Sequence, residues 1–483
     1  MPIRMFRRIS AVLPAVAVLA ATISMPMPAA PNSRAVSTAV SPISHVVVLM
    51  QENHSFDNVL GRLCVQFQRC DGATVGLLHD GSAIPLPAAK NIVPGAPHNV
   101  QAMTTAIDGG KMDGFDLMVT PDHDCAGPSY DCYQAFDPSQ IPDLSGLALT
   151  FAISDRTFQS DLAASWGSHL GLVAATLDGF NGDNPCAGTQ CPTLAPQPAP
   201  VALGTGWGCD SHRDALWRRA ADGRLSYQPA CVPDPSLPLA NGGAYRPTDV
   251  RWVPTIMDRL DGAKLGWKLY AGSDKLPTSQ QGSGFPENGY QWAICPTFAD
   301  CLYTSQSKNV ALASAVIDDA TNGTLPAVSI VTPTNPKSQH NFYSMKMGDN
   351  WIGQVVQAIE NGPQWSTTAI FITYDDCGCF YDHVAPPAGL GIRVPMVIVS
   401  PYAKRGFTDS NVASYASLLA FIEHTFGLLP LSKTDADAYD FSSSFDFSRP
   451  QLTTTPMVVS PETPEDLDYM REHPRDPDDN DPT

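Results

Sequence analysis

Past its first thirty residues the chain has no apolar run near the roughly 20 residues that a membrane-spanning helix needs, so no transmembrane segment is expected in the mature protein. Positive charge is scarce: 29 Lys and Arg stand against 48 Asp and Glu, a formal net charge of −19. That balance argues against a basic face for nucleic acid or anionic membranes. The spacings of a zinc site are missing as well. Twelve cysteines occur without one Cys-x-x-Cys pair or a Cys/His cluster. No internal repeat is visible.

What is present begins with a targeting pattern. Arg4, Arg7 and Arg8 precede an apolar run from Ala11 to Ile23 and the small residues Pro28, Ala29 and Ala30. Residues 1–30 therefore read as a secretory signal peptide, with Arg7-Arg8 also permitting a twin-arginine route. Loss of those three arginines takes the net charge from −19 to −22. The mature protein is expected to be soluble and exported, to the periplasm or the exterior. All twelve cysteines follow the signal and fall into close neighbours: 64/70, 125/132, 186/191, 209/231, 295/301 and 377/379. Export makes disulfides the favoured reading, although a bridge across the single Gly378 is strained and leaves Cys377 and Cys379 open to other partners.

Short β-branched runs at His45 to Met50, Ala327 to Thr332, Ala369 to Tyr374 and Pro395 to Ser400 have the character of buried parallel strands. Helical periodicity lies between and after them, at Thr255 to Leu260, Trp351 to Ile359 and Ser417 to Phe426. Strand and helix in alternation predict an α/β layered fold. Residues 31–458 form the expected catalytic domain. Within it, about 181–248 reads as a Pro/Gly/Cys-rich insertion, either a lid or a disulfide-pinned decoration. The segment 459–483 reads as an acidic disordered tail.

Two of the strands end in acids. His45 to Met50 runs into Glu52-Asn53, and Ala369 to Tyr374 into Asp375-Asp376. Ligands in open parallel sheets sit beyond the carboxyl ends of strands. Adjacent carboxylates repel unless a cation or proton lies between them, so these four residues suit one divalent metal ion. Their oxygen donors favour Mg, Ca or Mn. A polar turn is the plainer explanation for either segment alone.

Three segments carry a family resemblance: Glu52-Asn53-His54-Ser55-Phe56-Asp57-Asn58, Trp365 through Asp376, and Phe380-Tyr381-Asp382-His383-Val384-Ala385-Pro386-Pro387. Leu260-Asp261-Gly262-Ala263 with Trp267 to Gly272, and Arg393 to Tyr402, add to it. Over about residues 43 to 430 the chain resembles the secreted phosphoesterase family that unites bacterial phospholipases C with a group of acid phosphatases. The resemblance implies an alkaline-phosphatase-like fold, a central mostly parallel sheet flanked by helices, and phosphoric ester hydrolysis through a phosphoserine. It implies metal-binding roles for Glu52, Asn53, Asp375 and Asp376, a nucleophilic role for Ser165, and phosphate contacts from His98 and His340.

The match is uneven. The family's Gly-Pro-Ser-x-Pro-Asn frame is here Ala163-Ala164-Ser165-Trp166-Gly167-Ser168, which leaves Ser160 and Ser168 as fallbacks. His54 stands where phospholipase members carry Arg, and Tyr415 lies where a Tyr-Asp-His sequence is common. Asp382-His383 fits loop orientation as well as substrate contact. The implied substrate is a phosphate ester, a small molecule or a phospholipid. Larger phospholipase members append β-rich domains where this chain has its acidic tail, which tilts expectation slightly toward small or soluble esters. An inactive binding protein on the same scaffold is the alternative from another class. A sulfatase is disfavoured, because Cys231-Val232-Pro233-Asp234-Pro235 lacks the arginine of a formylglycine frame.

Overall fold

The computed structural model of the protein describes residues 41–120, 123–186, 191, 206–219, 222–237, 245–272 and 292–472. The signal segment, much of the insertion and residues 473–483 lie outside the described residues.

Eight strands build the main sheet: β1 (His45–Gln51), β2 (Ala152–Ser154), β3 (Trp267–Tyr270), β4 (Val310–Ala311), β5 (Val328–Val331), β6 (Thr368–Tyr374), β7 (Met396–Val399) and β8 (Thr408–Asp409). Their order across the sheet is β4-β3-β5-β1-β6-β7-β2-β8. The α/β reading holds, and the sheet is mostly parallel. One strand departs from it: β7, expected to be parallel, pairs antiparallel with β6 and with β2. An apolar run buried on both faces looks the same in either direction, so composition could not set the polarity.

Helices cover the sheet. Those that matter for the site are α1 (Pro142–Thr150), α2 (Ser165–Ala174), α3 (Met345–Asn361), α4 (Tyr415–Phe426) and α5 (Pro464–Glu472). Val46 through Met50 and Ala369 through Ile372 are at most 1% exposed, as expected of central strands covered on both faces. No helix among the described residues is long and apolar enough to cross a membrane.

Five of the six cysteine pairs form the expected short-range disulfides: 64–70, 125–132, 186–191, 209–231 and 295–301. Cys377 and Cys379 are not among these five disulfides, and both are buried. Of the segment 459–483 that the sequence reads as a disordered tail, residues 459–472 are described and include α5, while 473–483 lie outside the described residues. Its polar side chains find specific partners: Ser344 Oγ donates to Glu462 at 2.5 Å, and Asn91 Nδ2 donates to Glu462 and Asp466 at 2.9 and 3.0 Å.

Candidate active site

β1 and β6 are parallel neighbours in a register that sets Gln51 against Tyr374. The next residues of each strand, Glu52-Asn53 and Asp375-Asp376, therefore emerge side by side although some 320 positions separate them. Asp375 N–H donates to Gln51 O at 3.0 Å, carrying the ladder one step further. Asn53 then turns into the left-handed region at φ 58°, a conformation that Asn tolerates better than most residues and that recurs at functional sites. Its N–H donates to Asp375 Oδ1 at 2.9 Å. All four side chains are fully buried.

Ser165 is the first residue of α2, and its Oγ lies 3.3 Å from both Asn53 Oδ1 and Asp376 Oδ2. The positive end of the helix thus points at the acids. The altered frame still fits this geometry: Ala164 holds the extended cap position, and a Cβ on Gly167 would meet the Ala163 Cβ at 2.6 Å. The fallback serines do not join the cluster. Ser168 Oγ donates to Ala163 O at 3.3 Å, and Ser160 lines a separate cavity of about 390 Å³ beside Asp161 and Thr176.

His98 and His340 also converge. One end of the Asn53 amide is 2.9 Å from the Nε2 of each ring, and the other is 2.9 and 3.1 Å from the two carboxylate oxygens of Asp375. Each ring sets its Nδ1 against a carbonyl, Ala96 O at 2.8 Å for His98 and Asn341 O at 3.0 Å for His340. A neutral ring held that way has its proton on Nδ1 and a bare Nε2, which accepts from the amide nitrogen. In the opposite orientation the amide nitrogen donates to both Asp375 oxygens and the amide oxygen accepts from both Nε2 atoms.

Burial, then the charges of Asp375 and Asp376, holds Glu52 well above the usual carboxylate range. Burial and then Asp375 do the same to Asp376. Burial also pushes on Asp375, but hydrogen bonds from Glu52, Ser165 and the Asn53 N–H outweigh it and hold that group low. Three buried carboxyls and an amide oxygen, with charge that the site accommodates poorly, fit a divalent metal ion.

Two contributors escaped the sequence reading. His169 Nε2 is 3.1 Å from Glu52 Oε1, and Glu52, His169 and Asp375 each offer a donor atom within 4.8 Å of the others. The signal was its spacing: His169 follows Ser165 by four, hence on the same face of α2. Burial, partly opposed by Asp375, lowers this ring to about 4, so it is neutral. The Tyr415 hydroxyl donates toward Tyr374 O at 2.7 Å and toward Asp375 O, bracing the end of β6 from α4.

Asp57, Asp382 and His383 make a second acidic group, but its carboxylates are already paired: the buried Arg393 guanidinium lies 3.1 Å from Asp57 Oδ1 and from Asp382 Oδ1, and His383 Nδ1 lies 2.5 Å from Asp57 Oδ2. These pairings suit the loop-orienting reading of Asp382 and His383. His54 is a structural ring: Nε2 meets Gln339 O at 2.8 Å, and the ring stacks on Phe380. Cys231, the residue a sulfatase reading would use, is bonded to Cys209.

The model of the Phosphoesterase family matches residues 43–429. The chain belongs to the Phosphoesterase family. Relatives of this Phosphoesterase chain include the non-hemolytic phospholipase C of Burkholderia pseudomallei, 26% identical over 87% of this chain and 61% of its own. Phospholipase C B of Mycobacterium tuberculosis is 22% identical over 87% of this chain and 80% of its own. The chain spans only 61% and 58% of the two non-hemolytic phospholipases C that it matches. Among solved structures it is similar to an alkaline phosphatase superfamily protein from Vibrio parahaemolyticus, at 10% identity and TM-score 0.35 over 83% of this chain and 70% of that one. Phosphonate monoester hydrolase of Agrobacterium radiobacter gives 12% and 0.34 over 80% and 74%. Overlaps this loose fix no residue equivalence.

Proposed function

We propose that the chain is an exported, metal-dependent phosphoric ester hydrolase in which Ser165 is the nucleophile. The observation that carries the reading is the placement of Ser165 Oγ 3.3 Å from Asn53 Oδ1 and Asp376 Oδ2, at the joined ends of two strands and the start of a helix. Glu52, Asn53, Asp375 and Asp376 would hold the metal, with His169 beside Glu52. A divalent ion bound there supplies positive charge that favours a serine alkoxide and offsets the phosphoryl oxygens. Ser165 Oγ attacks phosphorus, the bond to the leaving oxygen breaks, and a phosphoserine remains. The N-terminus of α2 stabilises negative charge at Oγ. His98 and His340 face the same amide and are placed to donate from Nε2, when protonated, to phosphoryl or leaving oxygens. Water then attacks the phosphoserine and frees phosphate.

Phospholipase C names among the relatives favour a diester substrate, and the choice between phospholipid and small soluble ester is open to direct measurement. Release from p-nitrophenyl phosphate, p-nitrophenylphosphorylcholine and phosphatidylcholine is assayed with and without EDTA, for wild type and Ser165→Ala. We expect activity on at least one ester, loss with EDTA and recovery with Mg²⁺ or Mn²⁺. The variant should be slower by about 10³-fold or more. Activity indifferent to EDTA would remove the metal, full activity in Ser165→Ala would move the nucleophile, and inertness toward all three esters would favour a binding protein.

A further inference from the structure

The turn between Asp376 and Phe380 is built more tightly than a metal-binding loop requires. Gly378 and Cys379 both adopt positive φ, 48° and 44°. For glycine that conformation is free, whereas for cysteine it is strained. Gly378 also lies directly on Asn53: a Cβ there would be 2.0 Å from the Asn53 carbonyl oxygen, so no other residue fits without moving the ligand. Its N–H donates to Asp376 Oδ1 at 2.7 Å, and Phe380 N–H closes the turn onto Cys377 O at 3.1 Å. The strained backbone thus joins both halves of the site, and something must hold it.

Cys377 and Cys379 flank that glycine. Both are fully buried, and their Sγ atoms are in contact across it at 2.6 Å. Every other described cysteine is in a short-range disulfide, the state expected of an oxidising compartment. The same apolar cluster contains the bonded Cys125 and Cys132, so exchange partners are at hand.

We propose that Cys377 and Cys379 are joined by a disulfide across Gly378, a covalent clasp on the turn that presents Asp375 and Asp376 beside Asn53. It forms by thiol–disulfide exchange: two S–H bonds are lost and one S–S bond is made. Two electrons and two protons pass to the disulfide of an oxidising dithiol carrier, which leaves as the dithiol. The clasp holds Cys379 in its left-handed conformation and keeps Gly378 pressed on the Asn53 carbonyl. Its existence is independent of the proposed function, while its effect on metal affinity rests on that reading.

Peptide mapping of the full chain, purified without reductant and alkylated under denaturing conditions, tests the link directly. The expected result is no alkylation at either residue and a fragment containing a 377–379 bridge. Alkylation of both, or bridges from either to Cys125 or Cys132, would overturn it. Titration with Mn²⁺ alone by calorimetry tests the role, comparing wild type with Cys377→Ser/Cys379→Ser. We expect affinity to fall by about 10-fold in the double variant, the scale of lost support behind metal ligands. Equal affinities would overturn the clasp, and a wild type that binds no Mn²⁺ would instead sink the metal reading, leaving the mapping to decide the link.

Discussion

His169 shows how a single side chain completes a site that sequence motifs outline only in part. It is 1% exposed, its ring is neutral, and its Nε2 meets the carboxyl of Glu52, whose other neighbours include Asp375, Asp376 and Ser165. Groups placed this way fix a ligand's orientation even where they do not bind the metal. His169→Gln keeps a polar group of similar reach on α2. Its Mn²⁺ affinity should fall by about 10- to 100-fold with the fold retained, read by calorimetry beside circular dichroism. Unchanged affinity would make His169 a packing residue. Glu52, Asn53, Asp375 and Asp376 were legible because strand ends carry ligands and four polar groups stood at two such ends. His169 was marked only by its spacing of four from Ser165, and Tyr415 by nothing, because the sequence does not say which face of α4 meets the acids until the sheet is assembled.

At the level of elements, the strands and helices were legible from their periodicity, and the direction of β7 was not. Helix α5 was not legible, because residues 459–472 lack apolar periodicity. The C-terminal segment is held instead by polar contacts, to which hydropathy patterns are blind. Thr455 N–H donates to Glu360 at 2.7 Å, Val458 N–H to Asp143 at 2.6 Å, and Ser460 N–H to Asn350 at 2.8 Å. Glu462 then reaches Ser344, the N-cap of α3, and Asn91. Ser344 follows His340 by four residues, and Asn91 precedes His98 by seven. Phe342 N–H donates to Val93 O at 2.9 Å, so the two histidine-bearing loops are zipped together beneath the strap. Glu462→Ala removes the acceptor shared by both loops. We expect a several-fold rise in KM with a smaller change in kcat, alongside a loss of stability of about 1.5–3 kcal/mol, the usual worth of hydrogen bonds to a charged group. Kinetics on the preferred ester and urea denaturation measure the two. Unchanged KM would confine the strap to stability.

Across the whole molecule, acidity is buried as well as displayed, and this ties stability to pH. Asp349 is fully buried in α3, where its carboxylate accepts the N–H groups of Asp143 and Leu144 at 3.0 and 2.9 Å and so caps the start of α1. Burial nonetheless pushes its carboxyl up to about 7, with those two bonds opposing and Asp143 adding to the rise. An unfolded aspartate titrates near about 3.9. Between those values the folded state binds more protons than the unfolded one, so stability falls as pH rises from about 4 to about 7. The contribution is fully present below that window and gone above it. Asp349→Asn carries no ionisable group there, so its melting temperature should decline less from pH 5 to pH 8 than that of the wild type. The variant will also have a fixed offset, because one end of its amide faces a backbone donor. The offset does not change with pH, and the difference in slope isolates the titration. Differential scanning fluorimetry at constant ionic strength reads both, and parallel curves would show that Asp349 stays ionised throughout.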